Sequence, residues 1–244
     1  MRTLLVLTML VAAAPPVAGQ KKMVMPSTGK ASVGVKLIQR AQAALGGAQK
    51  LAAVRDFVEL CEIYAVTPRG PVRVKQGTMW LAPGYFRQAT ESSAGRVEMF
   101  YDGNSGWYST PDGTTVVPPK VAAQVRGVVF RIPYTLLLSD RLPGRTITAI
   151  GSHAVEIRGG SGLQVRVRFN PETGLPVTYE FEAAGAAGER TSTTHTYSNF
   201  RTVNGLVVPA KMVMHQNGRK IADVEIVKTR INSGLTVAAL ALKL

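Results

Sequence analysis

The sequence predicts a mainly β protein with some helix: a long antiparallel sheet interrupted by one helical insertion. Three observations predict it. From Phe57 onward, apolar and polar residues alternate with a period of two in run after run. The runs are separated by pairs such as Asp102-Gly103, Asn204-Gly205 and Asn217-Gly218, which suit the positive φ of tight hairpin turns, so neighbouring strands run antiparallel. The alternation breaks once, in the compact apolar stretch 118–142. A sheet of this kind has a concave face to fill, with its own side chains or with a ligand.

The N-terminal residues set the compartment. Arg2, the apolar run 4–14 and the small residues Val17 and Gly19 read as a secretory signal cut before Gln20. The run falls far short of the roughly 20 apolar residues needed to cross a bilayer. Residues 1–19 are therefore a signal peptide, 20–33 a flexible polar leader, and 34–244 a single domain without an internal linker. The expected location is periplasmic, through a cleaved signal and without a lipid anchor.

Within 35–54, Leu37, Ile38, Ala41 and Leu45 and, past the Gly46-Gly47 break, Leu51 and Val54 show spacings of three and four, which predicts an amphipathic helix ended or bent at the glycines. Strands are expected over 57–67, 72–81, 85–91, 96–102, 106–110, 146–150, 154–158, 163–170, 175–182, 190–200, 206–216 and 220–231. The alternation is cleanest late in the chain. Leu163, Val165, Val167 and Phe169 point one way, and Gln164, Arg166 and Arg168 the other. Leu175, Val177, Tyr179 and Phe181 form a second row, and Leu206, Val208, Ala210, Met212 and Met214 a third. One face of the sheet is covered and the other wet. In the insertion, Val121, Val125, Val128, Val129 and Ile132 share a helical face, and Pro133 opens a second short helix carrying Leu136, Leu137 and Leu138.

Chemistry-bearing residues are sparse. His153, His195 and His215 lack the spacing of a local metal site, and the run 191–196 reads as an edge strand with its hydroxyls facing water. No Gly-x-Ser-x-Gly elbow exists. Glu59 and Glu62, three apart on a strand, face opposite ways and form no carboxylate pair. The single cysteine, Cys61, excludes an intramolecular disulfide and reads as a buried small hydrophobe. No catalytic residue, metal ligand or cofactor is assigned, so the expectation is a binding protein and not an enzyme. Net charge is +14, which favours anionic partners such as a membrane surface; export and the lack of a basic–aromatic repeat argue against nucleic acid.

The candidate ligand-binding residues are apolar. Trp80, Phe86, Met99, Tyr101 and Trp107 crowd the first half of the sheet. Val128, Val129, Phe130, Leu136, Leu137 and Leu138 are candidates for a mobile lid, and Met99, Met212 and Met214 for an adaptable wall.

Several motifs then align in order: a signal peptide, a helix with Leu45-Gly46-Gly47, the turn Asp102-Gly103-Asn104-Ser105-Gly106-Trp107-Tyr108 and the helical insertion. The turn Asn170-Pro171-Glu172-Thr173-Gly174-Leu175-Pro176 follows, then Tyr197-Ser198-Asn199-Phe200-Arg201 and Asn204-Gly205-Leu206-Val207-Val208-Pro209. This series resembles the outer-membrane lipoprotein carrier superfamily, the LolA/LolB-like proteins, over about residues 34–232. The resemblance implies a strongly curved antiparallel sheet, an incomplete barrel, whose concave apolar face is covered by helices and takes up acyl chains. It also implies a soluble carrier of a lipid or acylated protein, with envelope proteins as further partners. The chain lacks the N-terminal cysteine of the anchored acceptor type, and no gating arginine of that superfamily is matched to a position here. The alternative is an envelope sensor or protein-interaction module on the same scaffold, without a transported ligand.

Overall fold

Period-two alternation dictates the architecture. The computed structural model describes residues 28–68, 70–184 and 190–242; the signal peptide and residues 20–27 of the expected leader lie outside them. The first helix, α1, is Thr28–Ala44, so it begins before the apolar periodicity does and takes in residues 28–33 of the expected leader. Ile38, Ala41 and Leu45 bury its one apolar stripe. It ends at Gly46, whose φ of 112° lies in the left-handed region and whose added Cβ would meet the Gly205 carbonyl oxygen at 2.3 Å. A second short helix, α2, follows at Ala48–Ala52.

The first half of the sheet contains β1 (Asp56–Thr67), β2 (Gly70–Leu81), β3 (Tyr85–Ser92), β4 (Gly95–Tyr101), β5 (Gly106–Thr110) and β6 (Gly113–Val116). The insertion is α3 (Pro119–Phe130) and α4 (Pro133–Leu136), each with proline in its first turn, where no intrahelical N–H is needed. The second half contains β7 (Thr146–Ala149), β8 (Ala154–Arg158), β9 (Gln164–Phe169), β10 (Pro176–Ala184) and β11 (Arg190–Ser198). The hairpin β12 (Arg201–Val203) and β13 (Leu206–Val208), then β14 (Lys211–Gln216), β15 (Arg219–Ile231) and a C-terminal helix α5 (Val237–Ala241), complete the chain.

Thirteen of these strands form one sheet in the order β6-β5-β4-β3-β2-β1-β15-β14-β11-β10-β9-β8-β7, with β12–β13 a separate pair. Every pairing is antiparallel. The long strands β1 and β15 join the two halves, in register at Phe57↔Ile231. The sheet is not closed into a barrel: its two edges are β6 and β7, and the chain between them is the α3–α4 insertion.

Two expectations need correction, and two elements come in addition to those expected. The run 206–216 is two strands, broken at Pro209, which has no N–H for a ladder; Leu206 and Val208 therefore pair with β12 and do not continue the Met212–Met214 row. The hydroxyl-rich β11 is no edge, since it lies between β10 and β14. Strand β6 escapes a periodicity search because all four of its residues are exposed. Helix α5 escapes it because five residues carry no periodic signal.

Helix α5 also covers the outer face over β3 and β4, while the outer residues of the later strands, such as Arg166 and Arg168, stay exposed as expected. The Asp56 carboxylate accepts hydrogen bonds from the backbone N–H groups of Ser233 (2.7 Å), Gly234 (3.0 Å) and Leu235 (3.3 Å) and from the Ser233 hydroxyl (2.7 Å). That bend sends α5 back over β3 and β4, where Leu240 is buried with Phe100 and Trp107. Arg87 ties it down: paired with Glu98 at 2.8 Å, it also donates to the carbonyls of Ala239 and Leu240, both at 3.1 Å. A cation at the C-terminal carbonyls of a helix is favourably placed.

Candidate functional site

The inner face of the sheet is read from the register. On β1 the inward residues are Phe57, Glu59, Cys61, Ile63 and Ala65; Leu60, Glu62, Tyr64 and Val66 point outward. Opposite them stand Trp80, Thr78, Gln76 and Val74 on β2, and Ile231, Thr229, Ile226 and Val224 on β15. Beyond β15 come Met212 and Met214, then Tyr197 and His195 on β11, then Tyr179 and Phe181 on β10. Glu59 and Glu62 do face opposite ways: Glu62 pairs with Arg73 on the outside at 2.6 Å.

The expected ligand-binding residues divide among four apolar clusters. Phe86, Met99 and Tyr101 are buried beneath α3, with Val128 packed at the cluster's margin. Trp80, Phe130, Leu136 and Leu137 belong to the main core, where α1 and α4 meet the second half of the sheet. Met214, with Met212 against it, belongs to a third cluster around Ile63, Val74 and Val224 that contains no helical residue. Trp107 departs from expectation. It lies on the outer face under α5, paired across the ladder with Phe100, and its Nε1 donates to the Ala241 carbonyl at 2.8 Å. Leu136 and Leu137 retain no exposed surface, so they act as packed core side chains that seat α4.

Between these clusters runs a polar band that the sequence reading did not single out. Glu59 faces inward between Thr78 and Thr229. Burial pushes its carboxyl up to about 7, with the charge of Arg201 opposing the shift. His195 sits edge-on to the Phe181 ring at 5.0 Å, and burial together with the Arg131 charge pushes it down to about 3, so it is neutral at physiological pH. The Tyr134, Tyr179 and Tyr197 hydroxyls are all shifted upward, first of all by burial. Burial likewise raises the Cys61 thiol to about 12, which makes it inert as a nucleophile. The guanidinium carbon of Arg131 lies 3.6 Å from the Phe181 ring centroid, and desolvation lowers this residue to about 10.

Two further properties mark this band. Glu59, Arg131, His195 and Tyr197 lie deep among protein atoms, yet each keeps accessible surface that the packed core residues beside it have lost. Several buried polar atoms also lack a hydrogen-bond partner: Trp80 Nε1, Thr193 Oγ1, His195 Nε2, Arg201 Nε and Thr229 Oγ1. Native interiors leave few such atoms unpaired. A signal for the band did exist in the sequence. Glu59 is in phase with Phe57 and Cys61, and His195 with Tyr197, so both fall on the covered side of their strands.

Solved structures with the same architecture span nearly their whole length on this chain. A LolA superfamily protein from Nitrosomonas europaea matches with a TM-score of 0.53 and 14% identity, covering 82% of this chain and 96% of its own. A domain described as an outer membrane lipoprotein-sorting protein, from Vibrio parahaemolyticus, matches with a TM-score of 0.51 and 11% identity, covering 86% and 97%. The fold is LolA-like. A DUF1329 family protein from Desulfovibrio piger has it too, with a TM-score of 0.52 and 8% identity over 86% of this chain and 99% of its own. No protein-family profile matches the sequence, and no curated protein matches it. In this LolA-like chain no described helix is long and apolar enough to cross a membrane.

Proposed function

We propose that the protein is a periplasmic carrier, not an enzyme, that holds the acyl chain of a lipid or an acylated protein between the inner face of its sheet and the α3–α4 insertion. One observation carries this reading: Glu59, Arg131, His195 and Tyr197 are enclosed by sheet and helix and still keep accessible surface, as the wall of an internal space does. The fold shared with a lipoprotein-sorting domain supports it. Burying an acyl chain gains about 0.8 kcal/mol per methylene, or roughly 12 kcal/mol for sixteen carbons. Association costs of about 4–15 kcal/mol remove much of that. The balance is reversible binding, which a carrier needs. The signal-like residues 1–19 support export, and the net charge of +14 supports docking on anionic membranes and on envelope proteins.

Native mass spectrometry of the gently purified protein, together with uptake of the neutral probe N-phenyl-1-naphthylamine, tests the reading. A bound amphiphile, and probe binding abolished by Thr78→Trp on the inner wall, is the expected result. No amphiphile and no uptake overturns it. A second reading, an envelope-protein sensor with a self-filled interior, is favoured by the complete burial of Phe86, Leu136 and Leu137. It predicts a stable protein partner and no probe uptake.

A further inference from the structure

Arg131 ends α3, its N–H bonded to the Gly127 and Val128 carbonyls, and its guanidinium turns back toward that helix. A Cβ on Gly127 would lie 3.1 Å from Arg131 Nη1, so the glycine makes room for it. The guanidinium carbon then lies over the Phe181 ring. Other enclosed arginines of this protein have acceptors: Arg87 has Glu98, Arg145 has the Ser139 hydroxyl at 3.0 Å, and Arg201 has the Ile226 carbonyl at 2.8 Å. The Arg131 side chain has no hydrogen bond and no ion pair among the described residues. The inward carboxyl of Glu59 interacts with the charge of Arg201, which leaves Arg131 uncompensated. An enclosed, unpaired cation is costly unless an anion joins it.

Its neighbours are suited to an anion's second oxygen. His195, edge-on to Phe181 and within reach of the Arg131 charge, has Nε2 buried without a partner, and Thr193 Oγ1 on the same strand is also unpartnered. Tyr197 stands beside His195 at 6.3 Å between rings. A planar guanidinium presents two parallel N–H groups that match a carboxylate. A single positive charge balances a single negative one. Around this polar spot the surfaces are aromatic and aliphatic, with Tyr179 and Phe181 on β10 and Val129 and Phe130 on α3.

We infer that the ligand is a single-chain amphiphile with a carboxylate head, bound bidentately by Arg131 with His195 and Tyr197 alongside, its tail extending beneath α3 and α4. This rests on the carrier reading and names the class of ligand. The test is calorimetry of the full-length mature protein with laurate, dodecanol, dodecyl phosphate and dodecyltrimethylammonium, each below its micelle concentration. Laurate should bind roughly 10- to 100-fold more tightly than dodecanol, the range of a charge-assisted hydrogen bond. Arg131→Met should abolish that preference, so that laurate binds the variant no more tightly than dodecanol does. Equal binding of laurate and dodecanol overturns the head-group assignment alone; tighter binding of the phosphate overturns the carboxylate; binding of none overturns the carrier reading with it. A second measurement needs no variant. Carbon-13 NMR of carboxyl-labelled laurate on the wild-type protein should show the bound carboxyl titrating below the free one, and titration at or above it refutes the pairing.

Discussion

Glu59 and His195 make opposite demands on pH, and the two can be separated. The Glu59 carboxyl is raised from 4.5 to about 7 in the folded protein, facing Arg201 and the hydroxyls of Tyr134 and Tyr197, with Cys61 nearby. The folded state therefore keeps a proton that the unfolded chain releases, and stability falls as pH rises from 4.5 to 7. At 1.36 kcal/mol per unit the loss is about 3 kcal/mol. His195 is lowered from 6.5 to about 3 by burial and by Arg131, so the unfolded chain takes up a proton that the folded one refuses. Stability then falls as pH drops from 6.5 toward 3, by about 3 kcal/mol on reaching pH 4. Between 4.5 and 6.5 the two slopes cancel. Both magnitudes are ceilings, because each group keeps some accessible surface through which water lowers the penalty.

The assay is urea unfolding of wild type, Glu59→Gln and His195→Gln at intervals from pH 4 to pH 8.5. Differences between curves remove the contribution of surface carboxylates common to all three. The gap between Glu59→Gln and wild type should widen in favour of the variant from pH 4.5 to 7.5 and then stay flat. The gap for His195→Gln should widen in its favour from pH 6.5 downward. Curves that stay parallel to wild type across these windows would refute the enclosure of both groups, and with it the polar band.

Three further outcomes follow from packing. Leu240→Ala should destabilise by about 2–5 kcal/mol, because the side chain is fully buried against Phe100 and Trp107, and a red shift of tryptophan emission should accompany it in thermal melts. Gly106→Ala should prevent the β4–β5 hairpin from forming, since the added Cβ would lie 1.9 Å from the Phe100 carbonyl oxygen; loss of soluble, cooperatively melting protein is the readout. Thr229→Val removes a buried hydroxyl without a partner, so in a dry interior it should be neutral or stabilising by about 1 kcal/mol in urea unfolding; a clear loss would mean that water or ligand meets the hydroxyl.

The strands of the second half were legible because one of their faces stays wet. Gln164, Arg166 and Arg168 are exposed while Val165, Val167 and Phe169 are buried, so pattern and burial coincide. Strand β4 of the first half gives no such phase. In β4 every residue from Val97 to Tyr101 is buried, because α3 covers one face and α5 the other. Two covered faces erase alternation, so the pattern does not tell that Trp107 lies under α5, away from the other ligand-binding candidates. The polar band was hidden for a different reason. Burial was inferred from apolarity, and Glu59, Arg131 and His195 violate that rule where the fold is least satisfied by its own atoms.

The order of the sheet constrains how anything could reach the inner face. Strands β6 and β7 are its two edges, so α3 and α4 are the segment that bridges the open side, and neither takes part in the ladder. Moving a central strand breaks a row of backbone hydrogen bonds, whereas moving α3 forfeits apolar contact with Phe86, Met99 and Tyr101, the packing of Phe130 in the main core and one side-chain bond, from Arg126 to the Tyr101 hydroxyl at 3.3 Å. Helix α4 is held more firmly: just beyond it, Gln42 of α1 donates to the Leu137 carbonyl at 2.7 Å and to the Asp140 carboxylate at 2.8 Å. The low-cost opening is therefore a swing of α3 about its junction with α4. Arg131 is at that junction. On the carrier reading, an anion that neutralises it would act on a segment whose displacement leaves the ladder intact, and head-group binding would be coupled to access to the apolar wall through the same residue.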